Sequence, residues 1–459
     1  MPPFLIRGSA LTSRNGIAML TDDISSTLDW TVPVLILKMS PTPVHHGALA
    51  VARVLGRQGV PVYGIVEDGC TPLAVSRYLT KAFIWDRRPS DSASFVKEMA
   101  AIAAQIGSRA IVIPMDDLSA VCVAENAVSL AEWFIVPPVR PQTPARLANK
   151  LCLSALCAEL AIPTARTVAP KCFDEVKEFV QSSRFPVVVK ASEQWHPVNH
   201  AFCTKVIETR EELFSLCERY DYQSERILIQ EHIPGEDWIV HGYYNSNANV
   251  SLTFTGRKTC GYPNGAGSTA MGLSVDNGTL RQQSETLLKA VDYSGIIDMD
   301  WRRDSRDGQY RLLDCNPRVG QNFRMFENEA GIDVVLAQYL DLSGQPLVTA
   351  PQVDNCLFIV ESFYILAMLR RLTPLSGSRE KIIRPSHQVM ELAWWSSDDV
   401  VPFFVMIIRV LVRLISRSVG ALLYSPLRSW LPGLFAADAR TFAGPSVGPQ
   451  PQSSGLKQR

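Results

Sequence analysis

The chain has 459 residues, 47% of them hydrophobic, and its 45 basic residues balance 45 acidic ones. This length exceeds one ordinary hydrophobic core, so we expect two or three compact domains and exclude a chain that is disordered throughout. The balanced charge offers no broad basic surface for phosphates, so we expect no nucleic-acid partner.

Residues 1–30 are predicted to form a flexible N-terminus. They contain no apolar run of signal-peptide length, because Arg7, Asn15 and small polar residues interrupt it. The ten cysteines are scattered without a CxxC pair or another metal-ligand spacing, and several lie in apolar segments. We therefore expect a cytoplasmic protein whose cysteines are reduced thiols in the core.

Residues 31–145 alternate short β-branched runs with longer helical patterns. Three of the predicted strands are VLIL at 34–37, VYGIV at 62–66 and AIVIP at 110–114. This alternation predicts a Rossmann-like domain with a parallel sheet. The turn after the first strand is rich in proline and histidine and lacks the glycine fingerprint of dinucleotide sites, so we do not predict NAD binding. A proline-rich segment at 137–144 ends the domain.

Two aspartates, Asp116 and Asp117, follow the strand at 110–114. Ligands of open α/β sheets bind at the carboxyl ends of strands, so these side chains could hold an ammonium group. An N-terminal helix cap is the simpler interpretation, because aspartate is favoured at that position.

Residues 146–348 show the pattern of an α+β domain. The predicted helices run from about Leu147 to Leu160, from about Arg210 to Tyr220 and from Thr279 to Val291. The predicted strands are VVVK, ILIQ, WIVHGYY, SLTFTG, IIDMDW and YRLLDC. The last two flank a turn-like segment and should form a hairpin.

This hairpin carries four oxygen-bearing side chains. By period-two alternation, Asp298 and Asp300 share one face of the first strand, and Asp314 and Asn316 share one face of the second. If the hairpin is centred on Asp307, Asp300 lies opposite Asp314 and Asp298 opposite Asn316, which requires a bulge or an odd-membered loop. Carboxylates this close repel each other unless a hard cation lies between them, and oxygen ligands suit Mg²⁺. We predict a site for Mg²⁺ (or Mn²⁺) at Asp300, Asp314 and Asn316; a solvated acidic hairpin is the alternative.

Arg318 follows these ligands in the sequence DCNPR. A fixed cation beside a metal suits an anionic intermediate, which makes Arg318 the first catalytic candidate. The two acidic strands ending in DCNPR resemble the ATP-grasp superfamily, and within it the predicted ATP-dependent carboxylate-amine ligases. The resemblance covers about residues 32–346 and implies a pre-ATP-grasp domain followed by a two-lobed ATP-grasp domain. Both metal carboxylates here are aspartates, whereas the family commonly has glutamate at the position of Asp314.

The resemblance also implies a nucleotide site. The segment QEHIPGED resembles the hinge that holds adenine, with main-chain groups of Glu231 and Ile233 reading the base edge and Asp237 accepting the ribose hydroxyls. Adenine needs one donor and one acceptor in a dry apolar slot, which a strand-to-loop backbone supplies. By the same resemblance, Lys190 at the end of the strand VVVK would bind phosphate. The alternative for a lone lysine after a strand is a side chain exposed to solvent at the strand end. The implied nucleotide-binding residues are Lys150, Lys190, Gln230, Glu231, Ile233 and Asp237.

The glycine-rich segment 256–272 suits a mobile loop whose amides close over phosphates. A plain surface hairpin fits the composition equally well. By resemblance, Arg257 and Lys258 are catalytic candidates that would neutralise the γ-phosphate or an acyl phosphate.

The activity implied by the resemblance is that of an ATP-dependent ligase. Such an enzyme activates a carboxylate as an acyl phosphate and joins it to an amine, and Arg318 would hold the carboxylate or the tetrahedral oxyanion. The small-molecule acid and amine are not specified by the sequence. One alternative is an ATP-binding regulatory protein of the same fold without turnover, and another is a membrane-bound assembly protein. The sequence lacks GxSxG, Walker and HExxH motifs, which excludes the commonest hydrolases, P-loop proteins and zincins.

Residues 349–435 are predicted to form a helical C-terminal extension, and residues 436–459 a disordered tail. Between residues 400 and 424 the sequence is strongly apolar, yet Arg409, Arg413 and Arg417 recur on one helical face. An interfacial membrane helix is one interpretation, with the arginines at lipid headgroups. The other is a helix docked on this protein or a partner with its arginines outward. The residues expected in the acyl region of a membrane are Phe403, Phe404, Ile407, Leu411 and Leu414.

Overall fold

The computed structural model describes residues 5–6, 28–85, 89–191, 204–218, 222, 227–262, 267–371 and 389–419. The disordered tail, most of the flexible N-terminus and the end of the apolar segment at 420–424 were predicted for residues that lie outside these ranges. The chain has a mixed α/β fold with parallel and antiparallel sheets.

The described strands and helices follow each other along the whole chain. The strands are β1 (Leu5–Ile6), β2 (Val34–Leu37), β3 (Val62–Val66), β4 (Lys81–Ile84), β5 (Ala110–Pro114), β6 (Phe134–Ile135), β7 (Thr167–Val168), β8 (Val187–Ala191), β9 (Lys205–Ile207), β10 (Ile227–Glu231), β11 (Gly235–Asn245), β12 (Val250–Tyr262), β13 (Ser268–Ser274), β14 (Gly295–Asp304), β15 (Tyr310–Asn316), β16 (Cys356–Ile359) and β17 (Val389–Leu392). The helices are α1 (His46–Arg57), α2 (Ser92–Ile106), α3 (Asp117–Glu125), α4 (Ala127–Leu130), α5 (Thr143–Ala148), α6 (Lys150–Glu159), α7 (Phe173–Gln181), α8 (Arg210–Cys217), α9 (Gly278–Ala290), α10 (Val334–Leu342), α11 (Glu361–Arg371) and α12 (Val401–Val419).

The first sheet is parallel, as the alternation of strands and helices predicts. Its five strands run in the order β4–β3–β2–β5–β6. The central strand β2 is buried over its whole length, because it is apolar on both faces. Helix α1 is buried from His46 to Leu55, and its apolar residues belong to a core shared with the largest sheet.

The largest sheet has eight strands in the order β1–β17–β16–β13–β12–β11–β14–β15. Its central strands are antiparallel, whereas β16, β17 and β1 pair in parallel at one edge. The C-terminal extension was predicted to be helical, but β16 and β17 belong to this sheet. Their four-residue runs CLFI and VMEL are short, which is why helical and strand periods cannot be distinguished in them.

A third sheet of four strands, β7–β10–β8–β9, forms a smaller lobe. Helices α7 and α8 cover it, and together they enclose a separate apolar core. This lobe faces the eight-stranded sheet across a cleft.

The helix predicted from Leu147 to Leu160 is divided into α5 and α6. Asn149 has extended backbone angles, and its side chain accepts hydrogen bonds from the N–H groups of Leu151 and Cys152. Asparagine is a strong N-cap, so a second helix begins at Lys150. The break gives Lys150 the first position of a helix beside the cleft.

Helix α12 packs on the parallel sheet's side of the molecule. Arg409 is 2% exposed; its Nη2 bonds Asp68 at 2.5 Å and its Nε donates to the Cys70 carbonyl at 2.9 Å. The expectation that this arginine lies at lipid headgroups, or points outward, is therefore wrong, because a buried carboxylate of the same chain binds it. Arg413 is exposed. In the described part of the chain, no helix combines the length and apolar character needed to cross a bilayer.

The described cysteines are all free thiols. Cys217 is buried as expected, but Cys152 is exposed. The prediction of core thiols holds for the first of these two and is wrong for the second, because α6 turns Cys152 outward.

Candidate active site

The candidate site is a cavity of about 190 Å³ between the four-stranded lobe and the eight-stranded sheet. Nine of the predicted residues or their neighbours line it: Lys190, Gln230, Glu231, Ile233, Asp237, Lys258, Asp300, Arg302 and Asp314. They come from both walls of the cleft. Lys190, the hinge residues, Asp300 and Asp314 therefore lie around one space, whereas Lys150, Asn316 and Arg318 are not among the described residues that line it.

The register of β14 and β15 determines which acidic residues lie opposite each other. Asp300 pairs with Asp314 and Asp298 with Asn316, and a register shift follows between Asp300 and Trp301. Both pairings and the irregular ladder agree with the sequence prediction. Burial, together with repulsion from Asp298 and Asp314, raises the pKa of Asp300. A partly buried pair of like charges such as Asp300 and Asp314 is stabilised by a cation placed between them.

Asn316 is buried beside this pair, and its amide nitrogen donates to the Asp298 carbonyl at 3.3 Å. That orientation leaves its amide oxygen as an acceptor. Among the described residues, no group of three or more histidine, cysteine or acidic side chains could hold a metal ion. Two carboxylates and an amide oxygen fit Mg²⁺ nevertheless, because this ion is usually held by one or two carboxylates together with substrate phosphates.

Lys150 reaches the acidic pair from helix α6. Its Nζ lies 3.1 Å and 3.2 Å from the two carboxylate oxygens of Asp314. Lys150 is 6% exposed, so this contact supplies a buried positive charge beside the candidate metal ligands. The predicted phosphate lysine is thus paired with a predicted metal residue.

Lys190 enters the cleft from β8. Burial lowers the pKa of Lys190, and the nearby Asp314 opposes that change. Within the described ranges no hydrogen bond or ion pair holds its ammonium group. Lys190 is partly buried, and an unpaired ammonium in such a position is a ready partner for an anion.

The adenine-type hinge lies between β10 and β11. The N–H of Glu231 donates to the Arg166 carbonyl at 2.8 Å, and the Glu231 carboxylate pairs with Arg306 at 2.7 Å. The side chain of Gln230 donates to Thr167 at 3.0 Å. Ile233 is 2% exposed, and its N–H makes no hydrogen bond to another described residue. The hinge therefore offers an apolar wall and a free main-chain donor.

Asp237 lies at the same end of the cleft. Its carboxylate is 3.4 Å from Arg302 Nε, and both residues line the cavity. Arg302 was not predicted as a site residue. It shares the face of β14 with Asp298 and Asp300, so the period-two argument already contained the signal for it.

The glycine-rich segment 256–272 forms a hairpin of β12 and β13, with residues 263–266 outside the described ranges. Lys258 lines the cleft, and its Nζ donates to the Gly267 carbonyl. Arg257 points to the opposite face of the sheet. It pairs with Glu236 at 2.7 Å and lies over the ring of Trp238, 5.7 Å from its centroid. The structure brings Lys258 to the cleft and does not bring Arg257.

Arg318 lies between two carboxylates from different parts of the fold. Its Nη1 donates to Asp298 at 2.5 Å, and its Nε is 3.5 Å from Asp117. Burial raises the pKa of Asp117 to about 6, although Arg318 opposes the change. Asp116 caps α3 and accepts the Ser119 N–H, which confirms the capping interpretation for the first of these two aspartates.

His241 was missed by the sequence analysis. It is fully buried on β11, pairs across strands with Asp298, and its Nε2 lies 3.1 Å from Asp298 Oδ1. The signal was present, because His241 is the one histidine in the run WIVHGYY, which contains no lysine, arginine, aspartate or glutamate. A buried histidine is uncommon without a functional or structural partner.

A larger cavity of about 320 Å³ lies between α1 and residues 391–398. Three arginines line it, and each already pairs with carboxylates: Arg53 with Asp399, Arg57 with Asp398, and Arg324 with Asp333 and Glu391. The pairs with Asp399, Asp398 and Glu391 join the C-terminal extension to the rest of the molecule. The smaller cleft, where Lys190 is unpaired, is therefore the better candidate for chemistry.

Solved structures with a similar fold include two that contain ADP. The chain resembles N5-carboxyaminoimidazole synthetase from Staphylococcus aureus in complex with ADP, with a TM-score of 0.53 and 11% identity over 71% of this chain and 81% of that chain. It resembles the biotin carboxylase domain of 2-oxoglutarate carboxylase from Hydrogenobacter thermophilus, solved with ADP and its magnesium salt (TM-score 0.54, 14% identity, 71% and 72% covered). A third is the L-amino acid ligase from Bacillus licheniformis (0.50, 12%, 68% and 73%).

The chain therefore has the ATP-grasp fold. No family model matches the chain. Its sequence is similar to that of D-aspartate ligase from Enterococcus faecium (strain Aus0004), with 26% identity over 230 residues, which cover 46% of this chain and 54% of that protein. The chain thus spans about half the length of the curated relative that it matches.

Proposed function

We propose that this protein is an ATP-dependent ligase that joins a carboxylate to an amine and produces ADP. This proposal rests on the cleft, where Asp300 and Asp314 face each other beside Lys150 and the unpaired Lys190. A site of this kind suits phosphoryl transfer, which depends on positioning and on compensating negative charge. The similarity to D-aspartate ligase supports an acid and an amine as the substrates.

Each residue has a separate role in this proposal. Lys190, Lys150 and Lys258 bind phosphate oxygens, while the hinge at 230–233 binds adenine and Asp237 binds the ribose. Asp300, Asp314 and Asn316 would hold Mg²⁺ (or Mn²⁺), which supplies compensation of phosphate charge when bound. Arg257 is left out of the catalytic set, because its guanidinium contacts Glu236 and Trp238 on the other face.

The proposed chemistry has two steps. A carboxylate oxygen of the acid attacks the γ-phosphorus of ATP, the bond to the β-phosphate oxygen breaks, and ADP leaves. The amine then attacks the acyl carbon, phosphate departs with the electron pair of the broken C–O bond, and the amine loses one proton. Arg318 stabilises the carboxylate and then the tetrahedral oxyanion, because a fixed guanidinium lowers the energy of a developing anion.

We also propose the division into a pre-ATP-grasp domain at 31–145, an ATP-grasp domain at 146–348 and an extension at 349–435. The parallel sheet ends at Ile135 and the four-stranded lobe begins at Thr167, which supports the first boundary. Because β16 and β17 complete the eight-stranded sheet, the extension is expected to fold together with the ATP-grasp domain. Use of ATP supports the cytoplasmic location inferred from the sequence.

The test is ADP release from Mg-ATP with a panel of amino acids that includes D-aspartate, each combined with amine acceptors. We expect turnover with the wild type and a loss of at least 100-fold in kcat/KM for Lys190→Met. The matched control is Lys177→Met on α7, because Lys177 is half exposed and contacts Asp174 and the Phe173 ring in its own helix, away from the cleft. Mg-ATP binding without turnover across the panel would instead support the regulatory alternative.

The membrane hypothesis for residues 400–424 is restricted to the outer face of α12. Val401, Phe404, Ile408 and Leu411 are about half exposed and recur at helical spacing. We propose lipid contact only through this row, since Arg409 binds Asp68. Liposome co-sedimentation of the wild type and of Phe404→Glu/Leu411→Glu tests it, and equal sedimentation of the two proteins would exclude the contact.

A further inference from the structure

The orientation of Arg318 is fixed from two sides. Nη1 donates to Asp298 Oδ2 at 2.5 Å and to the Val319 carbonyl at 3.3 Å, while Nε faces Asp117 Oδ1 at 3.5 Å. Nη2 donates no hydrogen bond to another described residue. One face of the guanidinium is therefore occupied by the protein and one amino group is left for a ligand.

The neighbours of Asp298 hold its carboxylate against Arg318. It is 9% exposed; Oδ2 accepts from Arg318, and Oδ1 lies 3.1 Å from His241 Nε2. Both carboxylate oxygens of Asp298 thus face nitrogen atoms, whereas Asp300, two residues further along β14, faces the cleft.

Three neighbouring strands at one side of the eight-stranded sheet, β11, β14 and the edge strand β15, place these residues in adjacent rows. His241, Asp298 and Asn316 form one row on β11, β14 and β15, and Ile239, Asp300 and Asp314 form the next row on the same face. Neighbouring rows on one face are two residues apart along each strand. In the first row Asp298 holds Arg318, while the second row carries Asp300 and Asp314, the two carboxylates of the candidate metal site.

His241 is confined on every side. Its ring lies 5.0 Å from that of Phe326, and Gly320 passes so close that a Cβ there would overlap with His241 Cε1. Its Nε2 is within ion-pair distance of Asp298 but is not aligned as a hydrogen-bond donor. The imidazole therefore limits the positions open to Asp298 by packing.

We propose that Asp298 and His241 are positioning residues that hold the Arg318 guanidinium with Nη2 directed at the anionic substrate. The proposal rests on the proposed function, in which Arg318 meets the carboxylate and the oxyanion. Asp298 fixes the guanidinium directly, and His241 acts through Asp298. A misplacement of about 1 Å at such a group costs about 100-fold in rate, because the reacting groups must be held in a narrow geometry.

The experiment compares removal of each contact with its conservative replacement. The removing variants are Asp298→Leu and His241→Leu; Asp298→Asn keeps an oxygen acceptor and His241→Gln keeps an N–H donor. The control is Tyr243→Phe, two residues from His241 on the same face of β11, where a buried hydroxyl donates to Asp341. It alters the same strand without touching Arg318.

Three quantities are measured on each full-length variant: the Kd for Mg-ATP by calorimetry, kcat and KM for ADP release, and the crystal structure. We expect the removing variants to lose about 100-fold in kcat, to keep the Kd for Mg-ATP within twofold, and to show Arg318 displaced. The conservative variants should recover at least tenfold of the loss, and Tyr243→Phe should match the wild type in kcat.

Unchanged orientation of Arg318 in Asp298→Leu and His241→Leu would overturn the inference. So would equal loss in the leucine variants and in Tyr243→Phe, which indicates general destabilisation. Failure of the proposed function has a different signature, namely no ADP release from the wild type. The Arg318 orientation in the crystal structures still decides the positioning role in that case.

Discussion

Gly320 lies where the loop after β15 passes closest to the buried pair of His241 and Asp298. A Cβ at this position would overlap with His241 Cε1 and lie 2.7 Å from Asp298 Cγ. Neither neighbour can move freely, because both are buried in the sheet. The absence of a side chain at residue 320 is therefore a requirement of the site.

Gly320→Ala is expected to reduce the free energy of unfolding by about 1–3 kcal/mol, the usual cost of an overpacked interior position. Activity should fall as well, since relief of the overlap moves Asp298 and with it Arg318. Denaturant unfolding and ADP release measure the two effects.

The control is the same substitution at Gly278, the first residue of α9, where a Cβ would meet nothing within 4 Å. Gly278→Ala should be neutral or stabilising by up to about 1 kcal/mol, because alanine loses less conformational entropy on folding. If the two variants have the same stability, the close approach at residue 320 is not limiting.

Several residue positions could be predicted from the sequence, and the reason is local. Asp300, Asp314 and Asn316 were placed by alternation and by the centre of one hairpin, both of which depend on neighbouring residues. Arg257 and Lys258 could not be separated in this way. Adjacent residues on a strand face opposite sides, and which side meets the cleft depends on the pairing of β12 with β11 and β13.

Helix α12 is an element whose existence could be predicted but whose contacts could not. Its apolar period was clear, yet the sequence contains nothing that pairs Arg409 with Asp68, which lies 341 residues away. Propensity and periodicity are local, whereas an ion pair between distant segments depends on the tertiary fold. The same reason explains why β16 and β17 were missed.

Arg409→Leu is expected to cost about 3–5 kcal/mol of unfolding free energy, because it leaves the Asp68 carboxylate buried without its partner. Thermal or denaturant unfolding of the full chain measures the change. Arg413→Leu, one turn further along the same helix, is the control, because Arg413 is exposed and surface substitutions usually change stability by less than about 0.5 kcal/mol. Equal effects of the two substitutions would contradict the docked position of α12.

Helix α1 is held to the extension by Arg57, which bonds Asp398 at 2.9 Å. Burial alone would raise the pKa of Asp398, but hydrogen bonds from Arg57, Ser396 and Tyr78 hold that pKa well below its ordinary value. A carboxylate whose pKa is lower in the folded state than in the unfolded state stabilises the folded state at pH values above its unfolded-state pKa, near 4. This stabilisation is lost as the pH falls further and the carboxylate becomes protonated in the folded state.

Asp398→Asn should therefore lower the unfolding free energy at pH 7 by about 1–2 kcal/mol, allowing for the partial exposure of this pair. The difference between variant and wild type should shrink steadily below pH 4, as the wild-type carboxylate becomes protonated. Urea unfolding at pH 7, 5 and 3 measures it. A difference that stays constant across this range would show that the charge of Asp398 makes no contribution.

At the scale of the whole molecule, the cleft joins two lobes that share few covalent connections. A nucleotide bound between them stabilises the folded chain by mass action, by about 2.7 kcal/mol at a ligand concentration one hundred times the Kd. We expect Mg-ATP to raise the melting temperature and EDTA to abolish that rise, because Asp300 and Asp314 repel uncompensated phosphates. Differential scanning fluorimetry measures this, with EDTA alone as the control. An equal rise with and without EDTA would remove the metal from the proposal.

The pairing of distant segments also has a consequence for synthesis on the ribosome. Arg53 is buried in a helix near the start of the chain, and its carboxylate partner, Asp399, is 346 residues further on. The early parallel sheet therefore emerges with a cationic group whose counterion has not yet been translated. Until that late segment arrives, the nascent chain must keep this surface hydrated, so translation order sets a minimum waiting time before the native state can form.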